Sequence, residues 1–171
     1  MSDGVLSDAI EAFGYARQGT TGEATNIPLE RWDFRPHPDA KSVSELVRHI
    51  IDASLMLVGE AADPDGDFTR RSPDDHVADH AGHLPDTMTP SELVEALSSS
   101  LETCNERIRA VGEHHWSTNI TRFDGQTWTR LTYLFYAGAH EQYHCGQLAT
   151  YARSMGLVPA LTKRIHGSEA S

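Results

Sequence analysis

SVSELVRHIIDASLMLVGEAA, residues 42–62, carries the strongest helix signal in the chain. Ser42 and Glu45 stand three apart, the spacing of a reciprocal helix N-cap, and Pro38 lies just upstream. The spacing predicts a helix over 43–62. Val47, Ile51, Leu55 and Val58 fall on one side of it, and Leu46, Ala53, Met56 and Leu57 on the other. A helix apolar almost all round is buried on both faces, and in a small bundle that implies a partner subunit. One ionisable ring, His49, sits in its middle.

The neighbouring stretches are helical as well. Leu6, Ala9, Ile10 and Phe13 give residues 4–18 helical spacing, weakened by Gly14. Thr89, Pro90 and Glu92 open a helix over 90–112 with a Leu93, Leu97, Leu101, Cys104, Ile108 and Val111 stripe. Residues 127–155 read as a long helix stopped by Gly156 and Pro159. Between them lie three irregular stretches. Residues 19–41 are polar, with Trp32 and Phe34 as anchors; 63–88 are rich in Asp, Pro and Gly; 112–126 contain an Asp124-Gly125 turn. No stretch alternates cleanly, so no sheet is expected. The expected fold is all-α: an antiparallel four-helix bundle with a long crossover connection from the second helix to the third, in a single domain over 1–171 with a polar, frayed tail from about 160.

Composition narrows the function. The net charge of −11 lacks the basic footprint of a nucleic-acid binder, and the longest apolar runs fall short of a membrane span. Residues 1–20 have no continuous apolar core of a signal peptide, and two cysteines, Cys104 and Cys145, do not make a disulfide scaffold. A cytoplasmic protein with a small-molecule substrate is the expectation.

Ten histidines in 171 residues are many. His140 and His144 lie four apart in the last helix. They therefore point from one face, ~40° apart, and two imidazoles so placed can grip one divalent ion. Tyr133, Tyr136, Tyr143, Gln147 and Tyr151 share that face, as the wall of a polar cavity or as a solvent side. His49 is either a hydrogen-bonded core residue or a third ligand from across the bundle. Three histidines would leave positions open on the ion, the pattern of a catalytic site. Glu45 and Asp52, one turn either side of His49, would accept its free ring N–H and orient the ring, or be surface acids. His76, His80 and His83 read as part of a solvated loop without a metal role.

His140-Glu141-x-x-His144 is also the zinc string of metalloproteases. A protease of that class needs a third ligand downstream. The extended motif requires Gly at 147 and His at 150, where this chain has Gln147 and Thr150, and its only later acid is Glu169. No strand is expected to hold a peptide edge-on. Protease chemistry is therefore set aside, and Glu141 is an ordinary helix acid that could still reach a metal-bound water.

WDFRPHPDAKSVSELVRHI, residues 32–50, and HEQYHCGQLATYARSMGLVP, residues 140–159, together resemble the two signatures of the DinB/YfiT-like superfamily. The resemblance runs from about Trp32 to Pro159. It implies a metal-binding four-helix bundle whose ligands are His49, His140 and His144; imidazole donors in that geometry suit zinc or nickel. Many members read His-His-Arg-Gly-Gln where this chain has Tyr143-His144-Cys145-Gly146-Gln147. Some relatives conjugate a low-molecular-weight thiol such as mycothiol or bacillithiol to an electrophile. The resemblance thus implies a thiol-dependent transferase, with a metal-dependent hydrolase or a passive metal binder as alternatives; the apolar second helix, with the small residues Ala110, Gly138, Gly146 and Ala149 on the later helices, makes a homodimer the expected assembly.

Overall fold

The computed structural model describes residues 3–167. Its four long helices are α1 (Asp3–Asn26), α2 (Val43–Ala62), α4 (Pro90–Ala110) and α6 (Arg130–Ser154), with α3 (Pro73–Ala81), α5 (Glu113–Trp116) and α7 (Ala160–His166) as short additions. α1 packs on α6 and α4, and α2 packs on the same two, so α1 and α2 face each other diagonally across the core. The expected helices are thus present as a four-helix bundle. α2 starts at the Ser42–Glu45 capping box and α4 at the Thr89–Glu92 box, both formed reciprocally. The core runs through Phe13, Val47, Ile50, Ile51, Leu55, Leu97, Ile108 and Leu148, all fully enclosed.

The apolar surround of α2 is covered inside the chain, by α3, α4 and α6. The expected partner subunit is therefore not needed to bury this helix. α3 is what the sequence reading of 63–88 as a loop lacked. Ser72 caps it, Asp75 completes the capping box, and Pro73 sits in its first turn. Nine residues are too few for a periodic stripe to show, so only the cap residues announced it.

Three other expectations are corrected. α1 runs to Asn26 rather than 18; at Gly19 the helix backbone comes close to α6, with the Cys145 sulfur 3.4 Å from where a Cβ would stand. The tail is not frayed at its start, because Glu23 on α1 accepts the Ala160 and Leu161 amides at 2.9 and 3.0 Å and fixes α7; residues 168–171 of that tail lie outside the described residues. A small sheet also exists. β1 (Asn119–Thr121) pairs antiparallel with β2 (Thr127–Thr129) around the Asp124-Gly125 turn, where Gly125 takes φ +77. Three-residue strands carry too little alternation to be read. They displace the start of α6 to Arg130, where the Thr129 side chain accepts the Thr132 amide.

Candidate metal centre

α6 presents His140 and His144 one turn apart, and α2, packed against that face, brings His49 to meet them. One ring nitrogen from each lies within 4.8 Å of the others. The ring centroids of His140 and His144 are 4.5 Å apart, those of His49 and His144 4.8 Å, and those of His49 and His140 5.4 Å. The Nε2 atoms of His140 and His144 stand 3.2 Å apart. Two nitrogens each ~2.0–2.1 Å from a tetrahedral ion would be separated by roughly this distance, so the donor set fits a divalent metal.

The rings are also in the protonation state that a metal requires. Burial pushes His49 down to about 4, with the neighbouring His144 and Lys41 adding to the effect. Burial and the other two histidines hold His140 at about 4. His144 is lowered by burial and partly restored by its bond to Gln147. All three are therefore neutral near pH 7, with lone pairs free for coordination. Gln147 Oε1 lies 2.7 Å from His144 Nδ1. An amide oxygen only accepts, so the proton sits on Nδ1 and Nε2 is left bare toward the other two rings.

The remaining sequence candidates divide. The Tyr136 ring stands 6.3 Å from His140 and the Tyr143 ring 5.0 Å from His144, both partly open to solvent. Tyr133 is not at the triad: it is buried and stacked on Phe68 at 4.7 Å, and burial raises its hydroxyl pKa. Tyr151 donates its hydroxyl to the Lys41 carbonyl at 3.1 Å, fastening the entry of α2 to α6.

Glu45 and Asp52 do not orient His49. Glu45 is held by Arg35, at 2.5 and 2.7 Å, and by the Ser42 amide. Asp52 takes Arg48 Nε on both oxygens, at 2.8 and 2.9 Å. Arg35, ten residues before Glu45, and Arg48, one helical turn before Asp52, rather than the histidine, have the reach and the charge to claim these carboxylates. Both acids instead line a cleft of about 620 Å³ that opens beside His49.

Glu141 has a different role from the one its motif suggests. One residue on from His140, it points into the core and is fully buried. There it is paired with Arg17 and accepts the Ser54 hydroxyl at 3.2 Å. Arg17 also donates to Ser54 at 2.9 Å, to Ser100 at 2.7 Å and to the Leu97 carbonyl. Arg17 was not singled out from sequence; a lone arginine in the apolar half of α1 was its only signal.

His76 and His80 are not solvated. Both lie on α3 and reach the buried carboxylate of Glu60, at 3.1 and 3.0 Å. His83 follows the helix and is exposed. Among the described residues, the three-ligand arrangement occurs at His49, His140 and His144. Cys145 lies on the far side of α6, and burial raises its thiol pKa, so it remains a packing residue.

The sequence profile of the DinB superfamily matches residues 12–148. None of the curated proteins matches the chain. Solved structures do. The DinB-like protein YjoA of Bacillus subtilis superposes with a TM-score of 0.68 at 20% identity, over 87% of this chain and 92% of that one. YfiT of Bacillus subtilis, described as a probable metal-dependent hydrolase with an unusual four-helix bundle topology, gives 0.69 at 16% over 92% and 91%. A protein from Exiguobacterium sibiricum described under the DinB family gives 0.65 at 23% over 91% and 94%. At such identities the likeness shows a shared fold.

Proposed function

The chain belongs to the DinB superfamily, and from that premise we propose that it is a metal-dependent transferase acting on a low-molecular-weight thiol of the mycothiol or bacillithiol type. His49, His140 and His144 would hold one zinc or nickel ion, leaving at least one position for a ligand. A divalent ion there would lower the pKa of a coordinated thiol, so that a thiolate is available near neutral pH. Gln147 keeps His144 in the coordinating tautomer, and Tyr136 and Tyr143 flank the partly open side where a small electrophile can approach. A thiolate so supplied would form its bond to the electrophilic carbon as the leaving group departs with its electron pair, the thiol proton having passed to solvent.

The observation that carries this reading is the position of Glu141. Activation of water for hydrolysis is assisted by a carboxylate base beside the metal, and the motif supplies one only if Glu141 turns toward the histidines. Here its carboxylate is buried against Arg17 and Ser54. Glu45 and Asp52 are engaged by arginines. A thiol, whose free pKa of about 8.5 is already far below that of water, needs less help from a base than water does. A hydrolase is the second reading, supported by the description of YfiT, whose fold is similar.

Elemental analysis of the wild type beside His49→Ala and His144→Ala tests the site, paired with conjugation of several thiols to a generic electrophile and with a panel of ester and amide substrates. The expected result is about one metal ion per wild-type chain, severe loss in both variants, and thiol-dependent turnover. Full metal content in the variants overturns the site. Metal that tracks the triad together with hydrolysis, and no thiol turnover, overturns the transferase in favour of the hydrolase.

A further inference from the structure

The cleft beside His49 has walls rich in charge. Arg35, Lys41 and Arg48 line it together with Asp39, Glu45, Asp52 and Asp86. Most of these charges are spent on one another. Arg35 grips Glu45 with two nitrogens and also donates to the Ala40 carbonyl. Arg48 grips Asp52 and donates to the Pro85 carbonyl. Asp39 stands out in solvent, 3.5 Å from His37, and Asp86 sits on the exposed 82–89 rim. Lys41 remains. Its ammonium has no hydrogen bond or ion pair among the described residues, and it belongs to the same cleft wall as His49.

The backbone of Lys41 is fixed. Its carbonyl accepts the Tyr151 hydroxyl from α6, and the next residue is the buried N-cap Ser42. Lys41 is exposed, but its backbone is held and, among the described residues, its ammonium is the one cation of this wall not engaged by an acid, so in a chain of net charge −11 it is a local point of attraction for an anionic group.

We propose that Lys41 is a specificity-determining residue that receives a carboxylate of the ligand whose other end reaches the triad. The inference rests on the metal reading above and narrows its substrate class to carboxylate-bearing thiols or electrophiles of a length that spans from Lys41 to the triad. The Arg35–Glu45 and Arg48–Asp52 pairs form the side walls, and Thr87 lies along the way.

The test uses the full chain loaded with Co²⁺ and follows thiol binding by visible absorption. Three thiols of similar size serve as probes: 3-mercaptopropionate, neutral 2-mercaptoethanol and cationic cysteamine. Wild type is expected to bind 3-mercaptopropionate about fivefold more tightly than 2-mercaptoethanol, the upper range for one partly exposed ion pair. Lys41→Ala should abolish the preference, Lys41→Glu should turn it toward cysteamine, and Lys41→Arg should keep it. A wild type without preference, or a preference that survives Lys41→Glu, overturns the proposal. A second arm needs no metal: backbone amide shifts of Ser44, Arg48 and His49 should respond to 3-mercaptopropionate in the metal-free chain, and not in Lys41→Glu. Should cobalt fail to bind while this arm holds, the metal reading falls and the anion site stands. If cobalt binds and neither arm depends on Lys41, the anion site falls alone.

Discussion

Gln147 Oε1, 2.7 Å from His144 Nδ1, decides which nitrogen of that ring carries the proton. Its loss would free the ring to rotate and to exchange tautomers without removing a ligand. Gln147→Ala is therefore expected to weaken metal affinity about 10- to 100-fold, the usual cost of losing such an orienting partner, while leaving the unfolding midpoint of the metal-free chain nearly unchanged. Competition with a chromophoric chelator measures the first and thermal unfolding the second. Unchanged affinity would show that packing alone orients the ring. Gln147 was identifiable from the sequence by its place on the histidine face; its specific partner was not, because helical spacing gives a direction and not a contact.

Among the elements, α3 is the one whose attachment is chemical as much as apolar. Burial alone would raise the Glu60 pKa, but His80, the Asp67 amide and Arg70 stabilise the carboxylate and hold it at about 2, against 4.5 for an unperturbed side chain. A folded-state pKa below the unfolded one stabilises the protein fully above pH 4.5, and that contribution is lost as pH falls from 4.5 toward 2. Glu60→Gln is expected to cost about 3 kcal/mol at neutral pH, as when one member of a buried charged pair is removed. It should also flatten the stability profile in that acid window. Urea unfolding from pH 7 to pH 2 on both proteins checks it; parallel profiles would sink the assignment. Gly59, beside Glu60, is part of the same docking, since a Cβ there would stand 2.4 Å from the His80 ring.

For the whole molecule, the Arg17–Glu141 pair ties the bundle together. Arg17 from α1 meets Ser54 on α2, Leu97 and Ser100 on α4, and Glu141 on α6. Arg17→Met should leave a buried carboxylate without its counter-charge and destabilise the fold by about 3–5 kcal/mol. Pairing it with Glu141→Leu should restore much of that loss. A double variant no more stable than the single one, by chemical denaturation, would refute the coupling. At the same scale, Tyr15 and Phe135 are 58% and 42% exposed along the α1–α6 side, where Gly138 keeps the surface low. A homodimer is expected to use apolar surface of this kind. Sedimentation at micromolar concentration should show a species of twice the 18.9 kDa chain mass; a lone chain there would count against it. Among the described residues, no helix is long and apolar enough to cross a membrane.

The existence of the four long helices and the shared face of His140 and His144 were legible in the sequence, while the end of α1 and the start of α6 were not. Capping boxes, apolar stripes and the spacing of four are local codes, and a helix expresses them wherever it packs. What lay across from each face was set by how the helices packed. That packing placed His49 opposite the pair, gave Glu45 and Asp52 to arginines, turned Glu141 inward to Arg17, and folded the supposed loop of His76 and His80 onto Glu60. Each of those outcomes is a competition among charged and polar groups distant in sequence. It is settled by which partner lies within hydrogen-bond reach once the helices have packed, and periodicity carries no record of it.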